Sequence, residues 1–273
     1  HPRHNPQGVV YLDHAGATLY ARSQLARCHA RMQEGLFGNP HSQGPVAGAT
    51  ADSVEEARGL VLEHFHASPE EWTVVFTSGA TASLKLAAEL MPWRQQRGSR
   101  LIYAHNSHTS VLGMREVALE AGADFACLPP SVQYGEDADS ALLKALQELL
   151  EQAAGDDSGD TDGSDPCPTE HLLVLPAECN FSGRKLDLGA LQRATARLRV
   201  STPQHRVTVL LDAAKHAGTS PLDLSRLQEG EVDMACVSFY KLFGYPTGLG
   251  CLLLRSSVAR RLLQSSSHGA SNG

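Results

Sequence analysis

The chain lacks most features that mark a membrane or nucleic-acid protein. No run of apolar residues is long enough to span a bilayer, and no signal peptide is visible. Acidic residues outnumber basic ones, 30 against 23, and the formal net charge of -7 disfavours nucleic acid or an anionic membrane as a main partner. We therefore expect a cytoplasmic protein that binds neither.

Metal-binding patterns are also missing. The six cysteines form no C-x-x-C pair, which argues against a zinc site or a redox motif. His64 and His66 alternate, but no acidic or cysteine-rich second half accompanies them, as a metal site would require. We expect no bound metal, and we interpret these histidines as surface or packing residues.

Nucleotide-binding motifs are absent too, although one loop is suited to an anion. No G-x-G-x-x-G follows a strand-like run, and no Walker motif is present. One small polar loop nevertheless joins the apolar run 72–76 to a segment with the apolar spacing of a helix. Free N–H groups and the dipole at a helix N-terminus favour an anion, and an ordinary capped helix is the alternative. The predicted phosphate cradle consists of Ser78, Gly79, Ala80 and Thr81.

Length and composition indicate one large α/β domain. With 273 residues and 42% hydrophobic content the chain can bury a substantial core. Parallel strands need crossover helices between them, so the pattern predicts a mainly parallel sheet with helices on both faces. The strand-helix units are predicted at about 72–91, 100–121, 171–199 and 207–228, with a final strand pair near 233–239 and 248–254.

The remaining segments set the predicted boundaries. Residues 1–45 are expected to form an N-terminal arm across the site entrance, and residues 46–260 the main domain. Within it, 141–150 is predicted to be an amphipathic helix and 154–168 a flexible acidic insertion. The serine-rich stretch 261–273 is expected to be a disordered tail.

Polar side chains follow three of the predicted strands. Asp212 ends the apolar run 207–211, His108 lies just beyond 100–104, and Asn180 follows 172–175. Ligands of open α/β sheets bind beyond the carboxyl ends of the strands, so these side chains are candidates for one site. Asp212 could pair with a protonated pyridine nitrogen; a helix N-cap is the alternative.

Lys241 lies in the most informative segment, between hydroxyl side chains and a glycine-rich stretch. A lysine that bonds to a phosphorylated aldehyde cofactor needs its amine near a carbonyl, with small residues around it. Ser238 and Tyr240 would donate hydroxyl hydrogen bonds, and Gly248 and Gly250 allow close backbone approach. A solvated surface lysine is the alternative.

Seven segments in order give a family resemblance over about residues 9–255, interrupted near 130–168. The chain resembles the cysteine-desulfurase-like domain of eukaryotic molybdenum cofactor sulfurases, which are class V members of the fold type I pyridoxal phosphate enzymes. The segments are Tyr11-Leu-Asp-His-Ala-Gly-Ala-Thr18, Gly38-Asn-Pro-His41-Ser42, Thr77-Ser-Gly-Ala-Thr81, Ser107-His-Thr-Ser110, Asn180-Phe-Ser-Gly183, Leu211-Asp-Ala-Ala214 and Ser238-Phe-Tyr-Lys241.

The resemblance implies a role for each candidate residue toward pyridoxal 5'-phosphate. Lys241 would bond to the cofactor aldehyde and carry the substrate proton, and His108 would stack on the ring and serve catalysis. Asp212 would face the pyridine nitrogen and Asn180 the phenolic oxygen. The phosphate would be held by Gly79, Ala80, Thr81, Ser238 and Tyr240, and the substrate side would include His41, Ala15 and Gly16.

One position departs from the family pattern. Bacterial desulfurases commonly have glutamine where this chain has Lys215. The departure puts a second contact to the ring oxygen in doubt and supplies a rival lysine. We favour Lys241, because its serine, tyrosine and glycine surroundings suit a phosphate site.

The activity implied is sulfur transfer from L-cysteine to the molybdenum cofactor of xanthine dehydrogenase and aldehyde oxidase, in a homodimer. The family's nucleophilic cysteine, carboxylate-binding arginine and small C-terminal domain lie beyond the lysine, so we expect a fragment whose own turnover is in question. Cys179, beside Asn180, is expected near the cofactor but is a poor candidate for the sulfur carrier. Another class V lyase or aminotransferase, or a non-catalytic cofactor-binding fragment, are the alternatives.

Overall fold

The computed structural model describes residue 8 and residues 10–93, 98–154 and 168–269. Apart from its two ends, the predicted acidic insertion at 154–168 lies outside the described residues, as do residues 270–273 of the predicted tail.

A seven-stranded sheet forms the centre of the domain, in the order β1-β7-β6-β5-β4-β2-β3. Only β7 runs antiparallel to its neighbours, β1 and β6, and the other four pairings are parallel. The prediction of a mainly parallel sheet is confirmed. The strands are β1 (Trp72–Thr77), β2 (Arg100–Ala104), β3 (Asp124–Leu128), β4 (Thr169–Pro176), β5 (His205–Asp212), β6 (Met234–Ser238) and β7 (Gly250–Arg255).

The helices connect these strands and precede them at the N-terminus. In the described part of the chain none of them combines the length and apolar content needed to cross a membrane. The helices are α1 (Arg22–Glu34), α2 (Pro45–His64), α3 (Ala80–Leu90), α4 (Thr109–Glu120), α5 (Ala138–Ala154), α6 (Leu188–Ser201), α7 (Phe239–Phe243) and α8 (Ser256–Gly269).

The core is divided between the two faces of the sheet. Successive residues of a strand point to opposite faces, so Leu173 and Leu175 pack with α2, α5 and α6, whereas Leu172 and Val174 pack with α3, α4 and α8. All four leucine and valine side chains are fully buried, and each contributes about 1.5–3 kcal/mol to stability. Helices on both faces are therefore confirmed.

The structure differs from the sequence analysis in two places. The predicted disordered tail from residue 261 is wrong as far as Gly269, because α8 continues to that residue. Val258 and Leu262, one helical turn apart, are buried against the sheet and hold the helix in place. The strand β3 was not predicted; it is an edge strand whose first residues are exposed, so it lacks a continuous apolar run.

His171 and His205 form a buried pair near the first residues of β4 and β5, at the edge of the sheet opposite the carboxyl ends of these strands. The pair leads to a prediction about stability at acid pH. His171 Nε2 lies 3.0 Å from His205 Nδ1, and the other ring nitrogen of each has no hydrogen-bond partner among the described residues. Burial, with help from His205 and Arg100, lowers the pKa of His171 to about 3.

Acid should therefore destabilise the chain through His171. Because its folded pKa is below the unfolded value of 6.5, the stabilisation is complete above pH 6.5 and is lost as the pH falls toward 3. Between pH 7.5 and 5, urea unfolding should show a loss of about 2 kcal/mol from this group. In His171→Leu the free energy of unfolding should fall less over the same pH range. An equal fall in this variant would show that other groups cause the loss of stability.

Candidate active site

A cavity lies at the edge of the sheet where β1, β2, β4, β5 and β6 end. These strands share one direction, so the loops that follow them meet at this edge. All nine residues predicted to bind cofactor line this cavity: Gly79, Ala80, Thr81, His108, Asn180, Asp212, Ser238, Tyr240 and Lys241.

The loop between β1 and α3 presents a helix N-terminus to the cavity. Gly79 is the N-cap, with φ +102°, and α3 has no side-chain cap, so its first N–H groups are available to an anion. The Thr77 hydroxyl donates to the Gly79 carbonyl at 3.0 Å and holds the turn. On the neighbouring strand, a Cβ on Gly250 would lie 2.5 Å from the Val237 oxygen and 2.8 Å from Gly79 Cα, so only glycine permits this close approach.

Ser238 contributes an unsatisfied hydroxyl to the same wall. The residue is fully buried, yet its Oγ has no hydrogen-bond partner among the described residues. A buried polar group without a partner costs about 1–3 kcal/mol. Because Ser238 lines the cavity, a polar atom of a ligand could satisfy it.

A short hydrogen-bond chain ties the N-termini of α3 and α4 together. The Ser110 N–H donates to His108 Nδ1 at 3.1 Å, and the Ser110 hydroxyl lies 2.9 Å from the same nitrogen. That hydroxyl also lies 2.7 Å from Thr81 Oγ1. Since Nδ1 accepts a hydrogen bond, the neutral ring carries its proton on Nε2.

Asp212 ends β5 and is largely buried, at 8% exposure. Its Oδ1 accepts the Ala214 N–H at 3.1 Å and the Cys236 thiol at 3.4 Å. Burial and the neighbouring Asp212 raise the pKa of Cys236 well above its usual value, so that the thiol remains a donor. The 3-10 helix that follows has Lys215 as its N-cap, so Asp212 does not occupy the N-cap position.

The two lysines of the cavity differ in their partners. Lys215 Nζ contacts Glu178 Oε1 at 3.3 Å and donates to the Cys179 oxygen at 3.1 Å. Lys241 Nζ forms no hydrogen bond or ion pair within the described ranges. An unpaired amine inside a polar cavity is the one better placed to react with a carbonyl.

Four other predicted positions lie elsewhere. His41, Ala15 and Gly16 are not among the residues that line the cavity. The arm nevertheless reaches the lysine segment, because the Thr18 N–H donates to the Tyr240 oxygen at 3.3 Å. Cys179 is buried beside the cavity without lining it, and its sulfur accepts the Ser182 N–H at 3.4 Å.

Several residues of the cavity were not predicted as site residues, among them the polar residues Asn106 and Glu178. Both lie two positions before a predicted residue, His108 and Asn180 respectively. Asn106 Nδ2 donates to the Tyr134 hydroxyl at 2.6 Å. Their position just after β2 and β4 was the available signal, and periodicity cannot show which residues of such a loop face inward.

Comparison with known proteins gives consistent matches. Residues 10–152 match the class-V aminotransferase family model. The molybdenum cofactor sulfurase of Homo sapiens is 43% identical over 92% of this chain and 26% of its own length, and that of Arabidopsis thaliana 42% identical over 94% and 32%. The structure of the cysteine desulfurase CsdA from Escherichia coli aligns with a TM-score of 0.64 and 25% identity, over 92% of this chain and 55% of that one.

The chain thus spans about a quarter to a third of the length of these curated relatives. The mainly parallel seven-stranded sheet of this chain aligns with the fold of that cysteine desulfurase, a fold type I pyridoxal phosphate enzyme. More than half of the sequence matches one family model, and the fold aligns with that of a cysteine desulfurase. This chain belongs to the class-V aminotransferase family.

Proposed function

We propose that this chain forms the pyridoxal 5'-phosphate site of an enzyme that transfers sulfur from L-cysteine to the molybdenum cofactor. The observation that carries the proposal is the unpaired Lys241 amine, which lines one cavity together with the Asp212 carboxylate and the unsatisfied Ser238 hydroxyl. This cofactor requires an amine for its aldehyde, an acid for its ring nitrogen and an anion site for its phosphate.

The residues present fit the cofactor. Its phosphate would lie at the N-terminus of α3, where it would accept hydrogen bonds from free N–H groups and from the hydroxyls of Thr81 and Ser238. Tyr240 lies on the same wall. A phosphate oxygen would satisfy the buried Ser238 hydroxyl, which otherwise has no partner in the described part of the chain.

Each remaining side chain has a chemical task in this proposal. When bound, the cofactor supplies an aldehyde that bonds to amines and a ring that accepts electrons. Asp212 would keep the ring nitrogen protonated, His108 would pack on the ring, and Asn180 would donate to the phenolic oxygen. Lys241 would hold the aldehyde carbon and, once replaced by the substrate amine, would move the Cα proton.

The wider parts of the proposal depend on the relatives. The names of the sulfurases support sulfur chemistry directed to the molybdenum cofactor, and the name of the cysteine desulfurase CsdA supports L-cysteine as the sulfur source. We include a homodimer, a cytoplasmic location, an N-terminal arm at 1–45 and a cofactor-binding domain at 46–260. His41, Ala15 and Gly16 are retained only as candidate substrate-side residues, because they lie on exposed loops outside the cavity lining.

The first chemical step can be tested without complete sulfur transfer. In D₂O, the chain loaded with pyridoxal phosphate should introduce deuterium at Cα of L-cysteine at least about tenfold faster than the free cofactor does, since a positioned base contributes at least this much. Mass spectrometry of the recovered cysteine measures the incorporation.

Asp212→Ala supplies the matched comparison. Without the carboxylate the ring nitrogen loses its proton and the ring accepts electrons poorly, so exchange should fall to the rate of free cofactor. Equal exchange with the unaltered chain and with this variant would contradict the proposed site.

A further inference from the structure

Lys215 is placed by three contacts to oxygen atoms rather than left to solvent. Its ammonium lies 3.3 Å from Glu178 Oε1, 3.1 Å from the Cys179 oxygen and 3.4 Å from the Asn180 oxygen. A Cβ on Gly183 would lie only 3.7 Å from the same nitrogen, so the loop curls around it. The lysine follows β5, and all of its partners belong to the loop after β4.

The counter-charge is equally well fixed. Glu178 is 7% exposed, and the Thr219 hydroxyl donates to its second oxygen. Burial raises the pKa of Glu178, but the hydrogen bonds from Thr219 and Lys215 outweigh it and hold the pKa below its usual value. Glu178 is therefore a carboxylate, and with Lys215 it forms a buried ion pair in the cavity wall.

The loop from Glu178 to Gly183 is held by this pair and, at its base, by the Cys179 N–H, which donates to the Arg184 oxygen at 2.9 Å. Asn180 itself is exposed, and Phe181 is fully exposed, so packing does not fix them. The loop closes through the Gly183 N–H, which donates to the Cys179 oxygen at 2.9 Å. The Asn180 carbonyl is bound by Lys215, which makes the lysine the group that sets the direction of Asn180 at the cavity.

We infer that Lys215 is a positioning residue: its ammonium clamps the loop 178–183 and thereby aims the Asn180 side chain at the ring oxygen of the cofactor. The inference rests on the proposed function for its cofactor part. It also explains why the second lysine of the cavity is not the reactive one, since its amine is occupied by three oxygens.

The experiment compares unaltered chain with Lys215→Met, Asn180→Ala and the double variant by titration with pyridoxal phosphate. Each single change should raise Kd by roughly tenfold, because Lys215→Met loses a charge-assisted hydrogen bond and Asn180→Ala loses a direct hydrogen bond to the cofactor. Because both act through Asn180, the double variant should bind no more weakly than Asn180→Ala. Additive effects, or an unchanged Kd in Lys215→Met, would overturn the inference. Lys215→Arg, which keeps the charge, should restore part of the affinity.

A second measurement without cofactor separates the clamp from the proposed function. Amide hydrogen exchange at Cys179, Ser182 and Gly183 should be roughly tenfold faster in Lys215→Met, while the amides of β5 remain unchanged. The double variant Lys215→Met, Glu178→Gln provides a folded reference if the unpaired carboxylate destabilises the single variant. Unchanged loop exchange would sink the clamp. If the unaltered chain shows no saturable binding, the proposed function fails, and the exchange result still decides whether Lys215 holds the loop.

Discussion

Lys241→Ala is expected to lower the affinity for pyridoxal phosphate by roughly 100-fold or more, the equivalent of about 2.7 kcal/mol. The variant removes the only cavity amine without a partner among the described residues, and with it the covalent bond to the cofactor. The phosphate cradle and Asp212 are untouched, so weak non-covalent binding should remain. Equilibrium dialysis measures the affinity, and the intact mass after borohydride reduction shows whether an adduct forms.

Two other lysines act as comparisons. Lys144 is exposed on α5 and does not line the cavity, so Lys144→Ala should change neither affinity nor adduct. Lys215→Met should weaken binding yet still give the adduct. If Lys241→Ala keeps a full adduct while Lys215→Met loses it, the assignment of the two lysines is reversed.

Gly250→Ala is expected to destabilise the chain by about 3 kcal/mol, within the upper range for overpacking a rigid site. Its Cβ would meet backbone atoms on both sides, the Val237 oxygen at 2.5 Å and the Gly79 carbons at 2.8 Å. Backbone cannot rotate away as a side chain can, so β7 or the β1–α3 turn must move. Because that turn starts the helix with the phosphate cradle, cofactor affinity should fall as well. Urea unfolding gives the change in stability.

Gly113→Ala is the matched control. Gly113 is exposed within α4, and a Cβ there would meet nothing within 4 Å. The same substitution should therefore raise stability by roughly 0.5–1 kcal/mol through helix propensity. Equal changes in the free energy of unfolding at the two glycines would contradict the close backbone approach at Gly250.

Most of the sheet could be predicted because buried parallel strands have continuous apolar runs. The runs 172–175 and 207–211 lie within β4 and β5, whose side chains are buried on both faces. The same criterion missed β3, since an edge strand with exposed residues has no such run. The helix α7 was missed because five residues are too few to show a helical period, although Gly244, with φ +79°, marks its end.

The lining of the cavity was predictable where a single polar residue follows a buried strand. Asp212, His108 and Asn180 lie where the topology brings strand ends together. The contacts of Lys215 could not be predicted, because its partners Glu178 and Asn180 are some 35 positions away and two of the contacts are to backbone oxygens. Contacts to backbone carbonyls have no signature in residue types.

Peptide mapping after reduction tests the central claim most directly. The unaltered chain is incubated with pyridoxal phosphate, reduced with borohydride and digested, and the modified lysine is located by mass spectrometry. The account predicts label on Lys241 alone, because this residue lines the cavity and its amine has no hydrogen-bond or ion-pair partner among the described residues. Label on Lys215, or label scattered over exposed lysines, would contradict it.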